Sequence, residues 1–171
     1  MIHQRFSGIL IAILLLTSLA SSGWADQQGR VCWISDGDTI SVEGVGVVRL
    51  IGIDCPEKVE SDRDWHYLRL GSCDWNSLRD VAESARLRVM ELCLDKRVRL
   101  VTGEQKYDRY GRMLAYVWLP DGRMLNQLML EEGRAIVYRR FDFTGKEKFL
   151  KLEGKARNNR LGMWKNPASR S

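Results

Sequence analysis

The stretch VRLIGIDCPE, residues 48–57, begins as an apolar strand and ends in a turn that carries acidic residues. Its aliphatic first half is typical of a buried β-strand. Arg49 lies near the start of this strand, while Asp54 and Glu57 lie where Pro56 stops it. A strand that serves only packing needs neither the arginine nor the acids. The stretch therefore indicates a functional site at the end of a strand.

Short predicted strands and three predicted helices surround this stretch. β-Branched or alternating patterns predict strands over residues 31–35, 39–43, 46–53, 97–101, 112–119 and 135–138. Helical spacing of apolar residues predicts helices over residues 77–93, 125–132 and 146–160, whereas residues 58–75 lack a clear period and are expected to form a long loop. Ser77 and Asp80 are spaced as a capping box for the first of these helices.

This order of elements is typical of an α+β domain built on a small antiparallel barrel. Gly44 and Gly46 favour a tight hairpin between the second and third strands. Five short strands with a helix that caps the barrel are what an OB-fold requires. The 171 residues suit a single domain. We therefore predict a five-stranded OB-fold β-barrel with about three helices.

The first 25 residues have the pattern of a secretory signal peptide. Arg5 supplies a positive charge, residues 8–20 form a short apolar run, and Gly23 and Ala25 place small residues at the cleavage positions. An uncleaved membrane anchor is the alternative, but a spanning helix needs about 20 apolar residues. We predict a signal peptide over residues 1–25, a mature domain over residues 26–171, and an exported protein that is periplasmic or secreted.

Charge and histidine content narrow the classes of function. Removal of the signal peptide leaves 26 Lys and Arg against 22 Asp and Glu, a net charge of +4. This mild excess favours approach to polyanions such as nucleic acids, although many secreted proteins are equally basic. His66 is the only histidine that remains, so a Ser-His-Asp triad or a multi-histidine metal site would be hard to build. Any catalysis must use carboxylates, arginines and, where one is bound, a metal.

All four cysteines lie in the predicted mature domain: Cys32, Cys55, Cys73 and Cys93. An even count in an exported chain predicts two disulfides, with three connectivities open. A pair between Cys55 and Cys73 would close the polar loop between them and leave Cys32 with Cys93. Their spacings do not resemble those of a structural zinc site.

Acidic residues suggest a metal site. Asp36 and Asp38 flank Gly37, so in an extended chain both carboxylates project to the same side, although Asp-Gly is also a common turn dipeptide. Asp54 and the backbone carbonyl of Cys55 could join Asp38 if the two segments are neighbours. Such hard oxygen donors suit calcium.

Two arginines could bind phosphate. In KYDRYGR, residues 106–112, Gly111 permits a sharp turn and Arg112 begins the next strand. Taken alone, this segment could equally be an ordinary polar hairpin. Arg49 and Arg112 nevertheless supply planar, permanently charged groups that can hold two phosphate oxygens at once.

Five motifs together resemble the staphylococcal nuclease family, also called thermonucleases. In chain order they are DGDT, VRLIGIDCPE, YDRYGRMLAYV, LNQLMLEEGRA and RLGMW. The resemblance extends from about residue 31 to residue 164. It implies a five-stranded OB barrel that acts as a calcium-dependent phosphodiesterase on DNA and RNA.

The resemblance also implies a role for each matched residue. Asp38, Asp54 and the Cys55 carbonyl look like the calcium ligands, and Glu57 looks like the general base that activates water. Arg49 and Arg112 look like the catalytic pair that grips phosphate. Tyr110 looks like a substrate-binding residue that contacts a nucleotide. Asp36 matches an acid that we expect to lie near the metal without binding it.

Three departures from the family pattern bear on these roles. Cys55 stands where the family has threonine, residues 58–75 do not align, and the second nucleotide-contacting tyrosine falls at Tyr138 or Arg139. The position of Glu57 relative to the metal depends on the segment that does not align.

The absence of a recognisable major-groove helix predicts cleavage without sequence specificity. Unpaired strands and frayed duplex ends are the expected DNA and RNA substrates. The resemblance implies cleavage of the bond to the 5′ oxygen. We expect a monomer without stable membrane association. The alternatives are a noncatalytic nucleic-acid-binding module on the same fold, and a secreted barrel that binds anionic glycans or lipid headgroups.

Overall fold

The computed structural model describes residues 26–70 and 73–165. Its centre is a closed barrel of five strands, in the spatial order β1 (Asp26–Ile34), β2 (Thr39–Val42), β3 (Gly46–Leu50), β6 (Met113–Trp118) and β5 (Arg97–Tyr107). Neighbouring strands are antiparallel except β3 and β6, which are parallel. The predicted five-stranded OB-fold barrel within an α+β domain is confirmed.

The barrel interior is filled by one face of each strand. Along β3, Val48 and Leu50 are buried while Val47 is 43% exposed, the alternation that a half-buried strand requires. Helix α2 (Leu78–Cys93) packs against the core with Ala85 and Val89. Arg49 therefore belongs to the face of β3 that does not fill the core.

The predicted strand over residues 46–53 divides into β3 and a short strand, β4 (Ile53–Asp54). Gly52 separates them with φ +79°, and a Cβ at this position would lie 2.5 Å from the ring of Phe143. This left-handed conformation, which glycine adopts readily, turns the chain out of the barrel. β4 then pairs with β7 (Ile136–Val137), which places Asp54 opposite Ile136.

Buried polar side chains complete the hydrogen bonds where β3 leaves the barrel. Asn126, in α3 (Leu125–Glu131), accepts from the amide of Val117 at 2.9 Å and donates to the carbonyl of Ile51 at 2.9 Å. Glu153, in α4 (Lys146–Asn158), accepts from the amide of Val137 at 2.8 Å. Because unpaired buried backbone groups are costly, both residues stabilise the path that carries Asp54.

Two local predictions over residues 58–80 are wrong. The expected loop contains a further helix, α1 (Asp64–Leu70), in which Asp64 and Tyr67 are buried. Ser77 precedes α2, but its hydroxyl bonds to Asp74 at 2.7 Å instead of capping the helix. Contacts with the rest of the protein, rather than a local helical period, hold this segment.

The two predicted disulfides are not formed. Cys32 is exposed, Cys55 and Cys93 are buried, and all three carry free thiols. The sulfur of Cys55 donates to the carbonyl of Arg134 at 3.4 Å, and that of Cys93 to the carbonyl of Val89 at 3.1 Å. Because two disulfides would use all four cysteines, none of the three connectivities is present.

The end of the described chain packs behind β7. The last α-helix is followed by a 3-10 helix, Gly162–Trp164, whose Met163 amide donates to the carbonyl of Gly133 at 2.9 Å. A Cβ on Gly133 would lie 2.3 Å from the carbonyl oxygen of Leu161. Only a residue without a side chain permits this contact.

No helix within residues 26–70 and 73–165 is long and apolar enough to cross a membrane. The predicted signal peptide, residues 1–25, lies outside the described residues.

Candidate active site

Strand pairing brings together the carboxylates and the arginine that sequence motifs had suggested. Thr39 lies opposite Arg49 in the β2–β3 pair, and the amide of Leu50 donates to the carbonyl of Asp38 at 2.8 Å. Asp54 follows five residues after Arg49 on the turn that Gly52 makes. These contacts place both aspartates beside one guanidinium.

Arg49 bridges the two aspartates. One of its terminal nitrogens pairs with Asp38, and the other lies 2.6 Å from Asp54 Oδ1 and 3.2 Å from the carbonyl oxygen of Ile53. The Arg49 side chain is only 12% exposed. Asp38 and Asp54 are 1% and 4% exposed, so the cluster is almost completely removed from solvent.

The second carboxylate oxygen of Asp38 accepts a hydrogen bond from the backbone of Cys55, the residue whose carbonyl was predicted to bind the metal. Asp38 Oδ2 accepts from the backbone N–H of Cys55 at 2.7 Å, and Thr39 Oγ1 lies 3.0 Å from Asp38 Oδ1. Cys55 thus lies directly against Asp38 through its backbone amide. Burial, the largest effect, raises the pKa of the Cys55 thiol well above its usual value.

Asp36 has a structural role in this cluster. Its Oδ1 accepts from the amide of Asp38 at 2.9 Å, which closes the Asp36-Gly37-Asp38 turn. Burial raises the pKa of Asp36, while the positive charges of Arg49 and Arg112 oppose that rise. The turn interpretation of this segment therefore applies, and the turn places Asp38 against Arg49.

Arg63 and Tyr67 also belong to the site, although sequence reasoning did not identify them. Tyr67 is fully buried and its hydroxyl lies 2.5 Å from Asp54 Oδ2. Arg63 pairs with Asp54 and, at 2.8 Å, with Glu57 Oε1. Burial and then the charge of Asp54 raise the pKa of Tyr67 well above its usual value, so the phenol remains a hydrogen-bond donor. The segment that holds both residues offered no periodic signal.

Glu57 lies at the open side of the cluster. Its side chain is 32% exposed, and Arg63 is its partner in the structure. Arg79, in α2, donates to the backbone carbonyls of Glu57 and Val59 and pairs with Asp64 at 2.5 Å. Arg63 therefore holds the side chain of Glu57, and Arg79 holds its backbone.

Arg112 is held differently from Arg49. It directly precedes β6, where Val48 of β3 lies opposite Met113. Its Nε lies 2.8 Å from Asp108 Oδ2, and that carboxylate also accepts from the amides of Tyr110 and Arg112. Burial alone would raise the pKa of Asp108, but the bonds from Arg112 outweigh it and lower this pKa.

Tyr110 is an exposed ring next to this arginine. It is 68% exposed, and the guanidinium carbons of Arg109 and Arg112 lie 4.8 Å and 5.5 Å from its ring centroid. An exposed aromatic ring between cations can accept a stacked base.

The two candidates for the second nucleotide contact, Arg139 and Tyr138, have different partners in the structure. Arg139 pairs with the buried carboxylate of Glu153 and donates to the carbonyl of Val137 at 2.9 Å. Tyr138 instead packs against Phe141 with 5.8 Å between ring centroids, and Phe141 is 68% exposed. Tyr138 is half-buried, whereas the Arg139 side chain is 39% exposed and held by Glu153.

The carboxylates fit a hard cation such as calcium by their chemistry. Buried carboxylates need a compensating positive charge, and oxygen donors suit calcium. Within residues 26–70 and 73–165, however, no group of three or more His, Cys, Asp or Glu side chains is arranged to hold a metal ion. Arg49 is the cation that bridges Asp38 and Asp54 in this structure.

The barrel and its charged strand ends define an OB-fold protein with a buried cluster of arginines and carboxylates. Comparison with known proteins gives its family. Residues 47–166 match the family model described as staphylococcal nuclease homologue. The chain belongs to the staphylococcal nuclease family.

Three relatives indicate the range of this family. Protein ParB of Escherichia coli is 32% identical over 91% of this chain and 82% of its own length. Micrococcal nuclease of Shigella flexneri is 32% identical over 93% of this chain and 84% of its own length. Thermonuclease of Staphylococcus hyicus is 30% identical over 82% of this chain and 78% of its own length.

Proposed function

We propose that this protein is an exported, calcium-dependent nuclease that hydrolyses phosphodiester bonds of DNA and RNA. The observation that carries the proposal is the buried Asp38–Arg49–Asp54 cluster with Glu57 at its open side. Relatives named micrococcal nuclease and thermonuclease support the same activity. Such a cluster offers two carboxylates that could hold a cation, an arginine that could bind phosphate, and a carboxylate that could act as a base, all at one strand end.

Arg49 and Arg112 would bind the nonbridging oxygens of the scissile phosphate. Negative charge accumulates on these oxygens as water attacks phosphorus, and cations already in place stabilise that charge more than they stabilise the substrate. Arg112 is oriented by Asp108. Arg49 must release at least one of its two aspartates to reach a phosphate.

Glu57 would accept the proton of the attacking water. A carboxylate can do this when it lies within hydrogen-bond reach of the water, and Glu57 is the partly exposed acid of the cluster. Arg63 now holds its Oε1, so the carboxylate must exchange this partner for the water before the reaction. Arg79 keeps the backbone of Glu57 in place meanwhile.

Asp38, Asp54 and the backbone carbonyl of Cys55 would hold calcium. When bound, calcium supplies positive charge that stabilises the phosphorane-like transition state and lowers the pKa of a nearby water. Asp36 would keep Asp38 in position through the turn that it closes.

Aromatic rings at the site suit unpaired nucleotides. Tyr110 and Tyr138 would stack on bases on either side of the phosphate, which gives little base preference. Single strands and frayed duplex ends are the preferred substrates in this proposal, with cleavage of the bond to the 5′ oxygen. The protein would act as a monomer in the periplasm or outside the cell, after loss of residues 1–25.

The test is hydrolysis of heat-denatured DNA by purified residues 26–171, with calcium and with calcium replaced by EGTA. Glu57→Gln and Arg112→Ala should each lose most of the calcium-dependent activity while remaining folded. Glu60→Gln and Arg123→Ala are matched controls, because Glu60 is an exposed acid of the same segment and Arg123 pairs with Asp121 in a separate turn. Both controls should retain activity.

A protein that binds the DNA but never cuts it, with calcium or any other divalent ion, would instead be a noncatalytic binding module. Equal losses in the controls and the site variants would show that the losses come from general destabilisation.

A further inference from the structure

Two tryptophans near the active site are exposed and packed on each other. Trp65, in the first turn of α1, is 55% exposed, and Trp75, just before α2, is 43% exposed. Their ring centroids are 5.0 Å apart and the rings are nearly perpendicular, at 88°. Large aromatic rings exposed together on a soluble domain commonly mark a binding surface.

The buried cluster of this segment does not include these rings. Tyr67, Cys73 and Leu78 of the same segment are buried and form a small core cluster with the C-terminal elements. The two tryptophans remain outside that cluster although they carry the largest side chains nearby. Their exposure therefore leaves both rings available to a ligand.

Hydrogen bonds connect both ends of this segment to Glu57. Arg63, two residues before Trp65, pairs with the side chain of Glu57 at 2.8 Å. Arg79, four residues after Trp75, donates to the backbone carbonyl of Glu57. The segment that carries both rings is thus tied at each end to the candidate base, and it is separate from the elements that carry Tyr110 and Tyr138.

The charges of the segment favour a neutral, flat ligand. Its exposed charged residues other than Arg63 are of both signs: Lys58, Glu60, Asp62, Arg69 and Asp74. Because this surface has no excess of positive charge, binding there would come from the rings and not from attraction of phosphates or of an anionic membrane. Aromatic rings stack on any nucleobase because every base has a π-face.

We propose that Trp65 and Trp75 form a base-stacking subsite for an unpaired nucleotide of the substrate, on the Glu57 side of the scissile phosphate. This inference rests on the proposed nuclease function. The two arginines would hold the phosphate, and the tryptophan pair would hold a base of the same strand. The subsite would lengthen the single-stranded segment that the enzyme binds.

The experiment compares two single-stranded oligomers of equal length, oligothymidylate and the same sugar-phosphate chain with abasic residues. Fluorescence anisotropy in EGTA measures binding to the purified protein, and cleavage with calcium measures KM and kcat. The variants are Trp65→Ala and Trp75→Ala, with Trp65→Phe to retain an aromatic ring. Circular dichroism and thermal unfolding monitor the fold of each variant.

Trp33→Ala is the matched control. Trp33 is 65% exposed, but it lines a shallow pocket with Met90 and Leu94, at the C-terminal end of α2. Trp75 precedes the N-terminal end of that 16-residue helix, and such a helix is about 24 Å long.

Each alanine variant should weaken binding of oligothymidylate and raise KM by about 5- to 100-fold, with little change in kcat. Binding of the abasic chain should stay unchanged, Trp65→Phe should retain most of the affinity, and Trp33→Ala should behave as wild type. Unchanged binding of both oligomers, or equal losses for both, would overturn the proposal. If wild type distinguishes the oligomers through Trp65 and Trp75 but cuts neither, the subsite stands and the nuclease function fails.

Discussion

Arg49 lies on β3 and Arg112 directly before the adjacent strand β6, yet the two guanidinium groups are held in opposite ways. Arg49 is 12% exposed and bonded to two buried aspartates. Arg112 is 31% exposed and bonded to one aspartate, which orients it toward solvent beside Tyr110. Similar motifs had predicted one role for both.

The difference shows that an arginine in such a cluster can be either oriented by one carboxylate or occupied in neutralising two buried ones. Arg112 is already oriented, so it can bind a phosphate with little rearrangement. Arg49 neutralises two buried carboxylates, so it can bind a phosphate only when another positive charge takes its place. We infer that cation binding and phosphate binding are coupled through Arg49.

The largest expected effect comes from Arg49→Met measured against Arg112→Met. Arg49→Met leaves two buried carboxylates without their shared partner and should lower the free energy of unfolding in EGTA by about 3–5 kcal/mol. Arg112→Met should lower it by no more than about 1 kcal/mol, because its pair is partly exposed. Urea denaturation measures both values.

The calcium affinities of the same two variants extend this comparison. Titration calorimetry should find tighter calcium binding to Arg49→Met than to wild type, since the competing guanidinium is absent, and unchanged binding to Arg112→Met. Weaker calcium binding by Arg49→Met would contradict competition between the arginine and the metal.

Asp108→Asn should separate the orientation of Arg112 from its charge. The variant loses the bond of 2.8 Å that holds the guanidinium, and misplacement of a catalytic group can lower kcat/KM by about 10- to 100-fold. Cleavage of denatured DNA measures the change. Asp121→Asn is the control, because its arginine partner lies outside the site; a full loss of activity in both variants would argue against orientation.

Tyr67→Phe tests whether the phenol stabilises Asp54, one of the two carboxylates that Arg49 bridges. It removes only the hydroxyl that binds Asp54 at 2.5 Å. Loss of a hydrogen bond to a buried charge should lower stability by about 1–3 kcal/mol. Thermal and urea unfolding check this value, and Tyr116→Phe is a suitable control because its hydroxyl binds a backbone carbonyl away from the cluster, at Thr144. Equal stability of Tyr67→Phe and wild type would show that Asp54 does not depend on the phenol.

The smallest effect concerns an arginine network outside the site. Glu132 pairs with Arg88 at 2.7 Å and Arg134 at 2.9 Å, and although burial opposes them these bonds lower its pKa from 4.5. Its contribution to stability is therefore complete above pH 4.5 and is lost as pH falls through the lower folded-state pKa. Glu132→Gln should reduce the loss of stability between neutral pH and about pH 3 by about 1 kcal/mol. If the free energy of unfolding varies identically with pH in the variant and in wild type, Glu132 makes no such contribution.

The barrel was predictable because its strands follow local rules. Alternation along β3 and the glycines at residues 44 and 46 give the hairpin, and the spacing of apolar residues gives α2, α3 and α4. The break at Gly52 was not predicted, because Ile51 and Ile53 continue the apolar pattern through it. Phe143, far along the chain, packs against this glycine and no local rule contains that contact.

The site was predictable as a set of residue types, but its internal contacts were not. The motifs grouped Asp38, Asp54, Glu57 and Arg49, and in the structure ion pairs of Arg49 and Arg63 connect these residues. They contained no signal for Arg63 or Tyr67, because α1 has only seven residues and is held by tertiary contacts such as the bond between Tyr67 and Asp54. The expectation of disulfides failed because it rested on cysteine count, whereas bridging depends on the geometry of each pair.

The pairing of β4 with β7 has a consequence for the synthesis of the protein. Asp54 lies opposite Ile136, and the neighbouring Val137 is held by Glu153. A chain that emerges from the ribosome N-terminus first therefore carries Asp54 and Glu57 long before the strand that supports them exists. The cluster around Asp54 can therefore gain its full support only after β7 and Glu153 have been synthesised.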